Sequence, residues 1–361
     1  MTAVTSYALA SSEDHNIEEM PLEIPTPQGH EVVVKVTHSG VCHTDIHVRE
    51  GGYDLGSAGR LTMVARGVKY PLVMGHEIAG TIIAIGPDVT DRKVGDDVVV
   101  YPWLGCGECS VCATGNENLC VSGSRVLGIM RPGGYAQQVL VPHEKYAVAL
   151  DGVDPAWGAT TACSGITAVS AVAKVTAMEG IAKDAPVVVL GTGGVGLMCI
   201  AALRAAGMTR IIALDRSEAT FEKAKELGAT VTAVVTDDTT PADIVEIVGE
   251  APQAWIDVVN SGRTFKLGFD SLRKGGRLVP VGLFGGEVVL PTAVLALQQK
   301  SVTGNYVGGL QHLHQALQLA RDGLLPRVPL ITQPLSVEAL QTTLDDLEAG
   351  RSRGRVVLTQ V

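Results

Sequence analysis

The sequence predicts a two-domain α/β protein in which a doubly wound parallel sheet accompanies a β-rich, barrel-like domain. Residues 30–150 contain short strand candidates broken by Gly, Pro and Asp, a pattern typical of antiparallel sheets. From about Pro155, apolar strand candidates alternate with Ala/Leu-rich helical stretches, which indicates a doubly wound parallel sheet. With 361 residues, 46% of them hydrophobic, the chain is long enough to bury a core in each domain.

The first domain depends on four strand candidates that lie between turn residues. These are EVVVKV (31–36), IAGTIIAIG (78–86), DDVVVYP (96–102) and GGYAQQVLV (133–141). The chain ends in GRVVLTQV, a strand-like segment that fits this domain better than the edge of the parallel sheet. Residues 51–70 are a Gly-rich insertion with little periodicity, which we predict to be a surface loop.

The second domain depends on four short apolar runs. They are VVVL (187–190), RIIALD (210–215), WIDVVN (255–260) and RLVPVG (277–282). These strand candidates alternate with Ala/Leu-rich helical stretches, as expected of a doubly wound parallel sheet.

Composition and charge exclude several classes of partner. The formal net charge is −10 and the pI is about 5.4, which argues against nucleic acid or an anionic membrane as a partner. We find no signal peptide at the N-terminus and no apolar window of membrane-spanning length. The seven cysteines are an odd number and four of them are clustered, so we expect a reducing, cytoplasmic location.

The clustered cysteines predict a structural metal site. Cys106, Cys109, Cys112 and Cys120 follow the pattern Cys-x2-Cys-x2-Cys-x7-Cys. Four thiols this close cannot easily form two unstrained disulfides, whereas they can surround one tetrahedral Zn²⁺. A disulfide-rich loop and iron–sulfur ligation are the alternatives.

A glycine-rich loop predicts a dinucleotide site. Its glycines, in GTGGVG, follow the strand candidate PVVVL and precede an apolar helix, and they are Gly191, Gly193, Gly194 and Gly196. Such a loop brings a pyrophosphate to the helix N-terminus, whose free N–H groups favour anions. Asp215 ends the next strand, where its carboxylate can bind the adenosine ribose and repel a 2′-phosphate. NAD is therefore expected rather than NADP, although Arg216 beside it weakens that inference.

Three further potential metal ligands are scattered along the chain. Cys42 lies in GVCHTDIH, His76 in GHE and Cys163 in TTACSGIT. Two thiolates and one imidazole would leave a fourth position open for water or substrate, as catalytic zinc requires. Scattered Cys and His residues are common in protein cores, so each of these three, taken alone, is better explained as a core residue than as a ligand.

Together these motifs resemble the zinc-dependent medium-chain alcohol dehydrogenases. GVCHTDIH, GHE, the four-cysteine segment, ACSGIT and GTGGVG occur in that family's order and approximate spacing, over essentially the whole chain. The resemblance implies a GroES-like catalytic domain at residues 1–155 and 297–361 and a Rossmann NAD-binding domain at 156–296. It also implies two zinc ions per chain.

The resemblance assigns roles around the catalytic metal. Cys42, His76 and Cys163 match its ligands, and Glu77 matches a carboxylate that can turn toward the metal. Asp45 matches an acid that orients the ligand histidine.

Two more residues would carry the alcohol proton outward, and others would contact the cofactor. Thr44 and His47 match the proton relay. The cofactor contacts implied by the resemblance are His43 and Arg355 at the pyrophosphate and Thr167 and Val195 at the nicotinamide. Trp103 lies near the position of the family's pocket aromatic, whereas Cys199 is predicted to be an ordinary core residue.

Two departures from the family pattern stand out. Thr220 replaces a basic residue that often contacts the adenosine, and the insertion 51–70 lengthens the loop between Cys42 and His76 near the cleft mouth. The resemblance implies NAD-linked oxidation of a primary or secondary alcohol by a homodimer or homotetramer. The alternative enzymatic function is that of a polyol, amino-alcohol or formaldehyde-adduct dehydrogenase. The alternative non-enzymatic function is that of a non-catalytic NAD-binding protein.

Overall fold

The computed structural model describes the chain except for residues 12, 124, 326, 353 and 361. In chain order the strands are β1 Thr2–Leu9, β2 Ile17–Ile24, β3 Val32–Val41, β4 Gly52–Asp54, β5 Arg60–Thr62, β6 Leu72–Val73, β7 Glu77–Ile85, β8 Asp97–Val100, β9 Gln138–Val141, β10 Ala147–Ala149, β11 Val187–Leu190, β12 Ile211–Asp215, β13 Val231–Val234, β14 Ala254–Asp257, β15 Arg277–Pro280, β16 Ser301–Val302, β17 Leu330–Pro334 and β18 Arg355–Thr359. The helices are α1 His43–Arg49, α2 Pro155–Thr160, α3 Ile166–Thr176, α4 Gly194–Ala205, α5 Phe221–Leu227, α6 Pro241–Val248, α7 Gly262–Ser271, α8 Thr292–Gln298, α9 Leu310–Arg321 and α10 Val337–Glu348.

A mostly antiparallel sheet forms the β-rich domain. Its order is β10-β8-β7-β3-β18-β17, with β9 also paired to β3. All four strand candidates of this region form strands of this sheet. The C-terminal segment, which was predicted to fit this domain, forms β18, and it pairs antiparallel with β3. One pair differs from the expected antiparallel pattern, because β17 runs parallel to β18.

A parallel sheet of order β13-β12-β11-β14-β15-β16 forms the second domain and confirms the predicted doubly wound fold. Every residue of β11 is buried, which explains its uninterrupted apolar run. The strand order reverses beside β11, where an open α/β sheet forms a ligand crevice at the carboxyl ends of its strands. The sheet continues to β16, beyond the predicted limit at residue 296, and the domain boundaries stay a prediction. Cys199 is fully buried, as expected of a core residue.

The insertion at residues 51–70 lies at the surface as predicted, with most of its residues exposed, but the prediction that it is a loop is wrong in part, because it contains a hairpin. Strands β4 and β5 form an antiparallel hairpin in which Tyr53 lies opposite Leu61. Met63, just after the hairpin, is fully buried and anchors it to the core, and its N–H bonds to the carbonyl of Gly51. The spacing of apolar residues gave no signal because only a few side chains of the segment, such as Met63 and Val68, are buried. Within the described part of the chain, no helix has the length and apolar character needed to cross a bilayer.

Candidate active site

Four potential ligands meet at one buried point, with their ligand atoms within 4.8 Å of one another: Cys42, His76, Glu77 and Cys163. Cys42 is the N-cap of α1, where its sulfur accepts the N–H of Thr44 at 3.3 Å. His76 directly precedes β7, and Glu77 is its first residue. Cys163 lies in a π-helical turn between α2 and α3, a distortion frequent at functional sites.

A buried carboxylate, Asp45, stands behind the cluster. Its Oδ2 accepts the N–H of Cys42 at 3.0 Å and the hydroxyl of Tyr135 at 3.1 Å, while its Oδ1 lies 3.3 Å from Nδ1 of His76. This leaves Nε2 of His76 toward Cys42, 3.0 Å from its sulfur. Asp45 therefore occupies the orienting position that the resemblance implied, and the outward nitrogen of His76 is available as a ligand.

The charges of the cluster suit a bound metal. Burial raises the pKa of Cys42, but the hydrogen bond with Cys163 and the charge of His76 outweigh burial and hold that pKa well below its ordinary value. Burial lowers the pKa of His76, but the charges of Cys42 and Asp45 hold it well above its ordinary value. A thiolate beside an imidazolium is the arrangement from which a metal displaces a proton. The soft sulfur and nitrogen donors fit Zn²⁺.

Glu77 is turned toward Arg355 rather than toward the sulfurs. The two form a buried ion pair, and burial raises the pKa of Glu77 to about 7 against the opposing charge of Arg355. Oε2 of Glu77 and Nε of Arg355 have no hydrogen-bond partner among the described residues. Arg355 also lies against Gly194, where an added Cβ would come within 2.4 Å of its Cδ. This side chain therefore touches both the ligand cluster and the glycine-rich loop.

The four clustered cysteines form a second group, also with their sulfurs within 4.8 Å of one another. All four are free thiols, which contradicts the disulfide alternative. Backbone N–H groups point at three of the sulfurs: Cys109 at Cys106 (3.3 Å), Cys112 at Cys109 (3.5 Å) and Cys106 at Cys120 (3.3 Å). Hydrogen bonds from the backbone at Glu108 and Cys109 lower the pKa of Cys106 to about 6. Such N–H donors stabilise thiolates and suit a closed metal shell.

A cavity of about 1290 Å³ lies between the two domains and is lined by the glycine loop and by Cys42 and Cys163. Gly191 has a φ of +95°, and a Cβ on Gly196 would lie 1.8 Å from the carbonyl oxygen of Gly191. Both positions therefore require glycine. The cavity thus joins the predicted phosphate loop to the ligand cluster.

Asp215 lies at the end of β12 in the same cavity, with Arg216 beside it. Its Oδ2 accepts the N–H of Thr192 at 2.6 Å and the Thr192 hydroxyl at 2.9 Å. That hydroxyl lies 2.6 Å from the hydroxyl of Thr220. The sequence analysis did not identify Thr192, and it considered Thr220 only as the replacement of a basic residue that often contacts the adenosine. Hydrogen bonds between side chains of this kind produce no recognisable spacing in the sequence.

The other predicted site residues line this cavity too: His43, Thr44, His47, Thr167, Val195 and Arg355. Burial lowers the pKa of His43 and favours the neutral ring, whereas the resemblance implied a cation there. The side chain of His47 is 14% exposed, and its Nδ1 lies 3.6 Å from Oε2 of Glu50. Trp103 lines the cavity as predicted, and its ring packs edge-on against His76 with centroids 5.6 Å apart.

Three aromatic residues of the cavity were missed at the level of sequence. Tyr53 belongs to the hairpin, and its ring lies 5.2 Å from that of His47. Phe284, from the loop after β15, contacts the ring of His43 at 5.8 Å. Tyr306 packs edge-on against Trp103 at 5.6 Å. In the sequence, these three residues differ from other aromatic residues only in that they lie in turn-rich segments, which does not indicate that they line a cavity.

Comparison with known proteins identifies the family of this chain. The family described as "Alcohol dehydrogenase GroES-like domain" matches residues 28–151, and "Zinc-binding dehydrogenase" matches residues 194–322. The chain is 36% identical over 345 residues to an NAD-dependent alcohol dehydrogenase of Sulfurisphaera tokodaii, covering 95% of each chain. It is also 36% identical over 338 residues to one of Saccharolobus solfataricus, covering 93% of this chain and 94% of that protein.

Solved structures of alcohol dehydrogenases also resemble this protein over nearly the whole chain. The alcohol dehydrogenase of Aeropyrum pernix superposes with a TM-score of 0.85 at 27% identity, covering 98% of this chain and 99% of that one. The protein is thus an oxidoreductase with a Rossmann domain and a GroES-like domain. It belongs to the zinc-dependent medium-chain alcohol dehydrogenase family, which confirms the resemblance drawn from the sequence.

Proposed function

We propose that this protein oxidises a primary or secondary alcohol to an aldehyde or ketone, reversibly, with NAD as the hydride acceptor and two zinc ions per chain. The observation that carries the proposal is the shared cavity. The two thiols Cys42 and Cys163 line the same cavity as the glycine loop and Asp215, and the buried imidazole of His76, backed by Asp45, lies 3.0 Å from the sulfur of Cys42. An alcohol held at the ligands would therefore lie within reach of a nicotinamide bound along the loop.

Each zinc would have a different part. Bound by Cys42, His76 and Cys163, zinc would supply a Lewis acid that lowers the pKa of the alcohol hydroxyl. Glu77 would be the fourth donor when no alcohol is bound, after leaving Arg355. Zinc bound by the four clustered cysteines would have a closed shell and stabilise the fold.

The chain's own residues would move the alcohol proton. Thr44 lies in α1 beside the ligand Cys42 and has a hydroxyl that can accept a proton and pass one on. His47 follows in the same helix, lines the cavity and approaches the half-exposed carboxylate of Glu50. Imidazole suits an outer relay position because its pKa lies near neutrality.

The cofactor preference would come from Asp215. Thr192, whose hydroxyl is bonded to that of Thr220, holds the carboxylate of Asp215 at the end of β12, where it would accept hydrogen bonds from the adenosine ribose. The same charge would repel a 2′-phosphate. Arg216 and Arg355 would provide the positive groups near the phosphates, and His43 would contact the pyrophosphate as a neutral ring. Thr167 and Val195 would press on the nicotinamide ring.

A sugar or polyol substrate is the second candidate, beside amino-alcohols and formaldehyde adducts. A D-arabinose 1-dehydrogenase (NADP(+)) of Saccharolobus solfataricus is 31% identical to this chain over 352 residues and favours that alternative. The aromatic walls formed by Tyr53, Trp103, Phe284 and Tyr306 favour flat, apolar alcohols instead. A non-catalytic binder would not need the relay pair Thr44 and His47.

The test is a panel of aliphatic, benzylic and polyhydroxy alcohols assayed by NADH absorbance, together with zinc analysis. Cys163→Ala should abolish turnover and lose one zinc per chain. Cys109→Ala is the matched control: it should lose the other zinc and lower the melting temperature. Fully active wild-type protein with one zinc or none would contradict the two-site proposal.

Assembly into a homodimer or homotetramer is a further part of the proposal. Large apolar side chains are exposed on the segment after β15 and on α8, including Phe284 at 55%, Val289 at 85% and Leu297 at 78%. Surfaces of this kind commonly lie in protein–protein interfaces. Light scattering at the peak of a sizing column tests it, and a monomer would contradict it. The cytoplasmic location stays a prediction.

A further inference from the structure

The loop that follows β16 forms one wall of the cavity beside the ligand cluster. Tyr306 and Val307 of this loop, which comprises residues 303–309, line the cavity. The ring of Tyr306 packs edge-on against Trp103, and the ring of Trp103 packs against His76, with centroids 5.6 Å apart in each case. Tyr306 is therefore one aromatic ring removed from a potential metal ligand, where it would meet the far end of a ring-bearing alcohol.

The backbone of this loop is strained at Val307. Its φ is +51°, a left-handed conformation that β-branched residues rarely adopt. Such a conformation persists only where the surrounding structure holds it in place. Contacts that hold the loop at Val307 therefore also fix the ring of its neighbour, Tyr306.

Three successive carbonyl groups of the loop each accept a hydrogen bond from a side chain. All three donor side chains are buried. The pairs, from donor to acceptor, are Asn118 to Tyr306 (2.7 Å), Asn305 to Val307 (3.3 Å) and Tyr101 to Gly308 (2.8 Å). Asn118 lies between Cys112 and Cys120, and Tyr101 directly follows β8. Two of the three bonds thus reach the loop from outside the parallel sheet.

Asn118 belongs to the segment of the four clustered cysteines, in the short helical turn Glu117–Leu119. A carbonyl can only accept, so the amide nitrogen of Asn118 must face Tyr306. The turn itself is anchored by the carboxylate of Glu117, which accepts the N–H of Gly105 at 3.1 Å and Nζ of Lys145 at 2.7 Å. The segment therefore offers the loop a donor that is fixed in place.

We propose that Asn118 and Tyr101 are positioning residues that fix the wall formed by Tyr306, and that this wall selects alcohols bearing an aromatic ring over short aliphatic alcohols. An aromatic substrate packs favourably against an aromatic side chain only at defined distances and angles, so the wall must be held in place. The segment of the four clustered cysteines therefore has a second role beside stabilising the fold. This inference rests on the proposed alcohol oxidation and specifies how its substrate is selected.

The first test is hydrogen exchange of the holoenzyme, followed by mass spectrometry. The amides of Thr303, Asn305 and Gly309 are hydrogen-bonded, so their exchange requires the loop to open. Asn118→Ala should raise the exchange rate of peptides covering the loop at least fivefold and leave peptides covering β11 unchanged. Tyr101→Phe, which removes only the hydroxyl, should raise the exchange rate of the loop at least twofold.

The second test compares benzyl alcohol with ethanol, whose two carbons would end beside the ligands. The wild-type holoenzyme should show the higher kcat/KM for benzyl alcohol. Asn118→Ala should raise the KM for benzyl alcohol at least fivefold while kcat changes less than twofold, because the wall contacts the ring and not the reacting carbon. The KM for ethanol should stay within twofold of the wild type, and Tyr101→Phe should act in the same direction with a smaller effect.

Asn116→Ala is the matched control for both tests. Asn116 lies in the same segment, but its side chain donates to the hydroxyl of Thr114 at 3.1 Å and accepts Nε2 of Gln311 at 3.2 Å. The exchange rate of the loop and both KM values should therefore stay unchanged in this variant.

The outcomes separate this inference from the proposed function. An unchanged exchange rate of the loop, or an equal increase throughout the chain, would overturn the positioning role, and so would an equal loss of kcat/KM for both alcohols. A wild type that prefers ethanol would overturn selection by the wall. Oxidation of neither alcohol would count against the proposed function, and the exchange rates then decide the positioning role. If Asn118→Ala does not fold, Tyr101→Phe decides both tests.

Discussion

The carboxylate of Asp45 is expected to control how tightly the metal of the Cys42, His76 and Cys163 site is held. Asp45→Asn keeps the shape and exchanges one acceptor oxygen for an amide that donates. If the remaining oxygen keeps the N–H of Cys42 and the hydroxyl of Tyr135, the amide faces Nδ1 of His76. His76 must then either oppose one donor with another or move its proton to Nε2, the nitrogen that a metal needs.

The size of the effect follows from that conflict. A buried donor left without an acceptor costs about 1–3 kcal/mol, and about 1.4 kcal/mol corresponds to a factor of ten in an equilibrium constant. We therefore expect the zinc dissociation constant of this site to rise by roughly 10–100-fold, the range usual for loss of a group that orients a ligand. Turning the amide over does not avoid the cost, because it then faces two donors.

The assay is titration of the holoenzyme with a chelator, with zinc retained per chain measured by mass spectrometry. Asp45→Asn should release one zinc at a correspondingly lower chelator concentration, while the zinc of the four clustered cysteines serves as an internal reference. Tyr135→Phe removes one donor and keeps the carboxylate, so its release curve should shift much less. Release of both zinc ions from Asp45→Asn at the wild-type chelator concentrations would refute the reasoning.

Three further predictions concern the cofactor, the relay and stability. Asp215→Ser should raise the NADP-to-NAD ratio of kcat/KM at least tenfold, roughly 1.4 kcal/mol, and a wild-type preference for NADP would contradict it. Thr44→Val should reduce turnover by roughly 10²–10⁴ while zinc content and NAD affinity, measured by calorimetry, stay unchanged; wild-type turnover would exclude the relay. Burial raises the pKa of Asp257 from 3.8 to about 6, so its contribution to stability is full below pH 4 and is lost as the pH rises through 6. An asparagine at position 257 does not titrate. The free energy of unfolding of Asp257→Asn, measured by denaturant titration, should therefore rise relative to that of the wild type by up to roughly 3 kcal/mol between pH 4 and pH 8. A difference between the two proteins that does not change with pH would contradict this.

The features that the sequence predicted well are encoded locally. The run VVVL at residues 187–190 is apolar throughout because β11 is buried on both faces, and Gly191 and Gly196 follow it because the turn leaves no space for a Cβ. The cysteine spacing at residues 106–120 likewise places four sulfurs together over a short stretch of chain. In each case the physical cause and the sequence signal involve neighbouring residues.

The features that the sequence did not predict depend on distant partners. The order of the insertion 51–70 comes from the burial of Met63, and its position over the cavity brings Tyr53 to His47. Burial also decides the charge of His43, which residue type alone does not indicate. The role of Thr192 depends on Asp215, a residue of the next strand.

The meeting of Cys42 and His76 shows how strand register creates the candidate site. These residues are separated by the whole insertion, yet β3 and β7 are antiparallel partners, and Gly40 lies opposite Glu77. That register puts Cys42, just past the end of β3, beside His76, just before β7. A shift of one residue would turn Glu77 to the other face of the sheet. The register in turn requires glycine at position 40, because a Cβ there would lie 2.0 Å from Oε2 of Glu77. The close approach of Cys42 and His76 therefore depends on a strand register in which Glu77 is buried opposite residue 40. That register is possible only because residue 40 is a glycine.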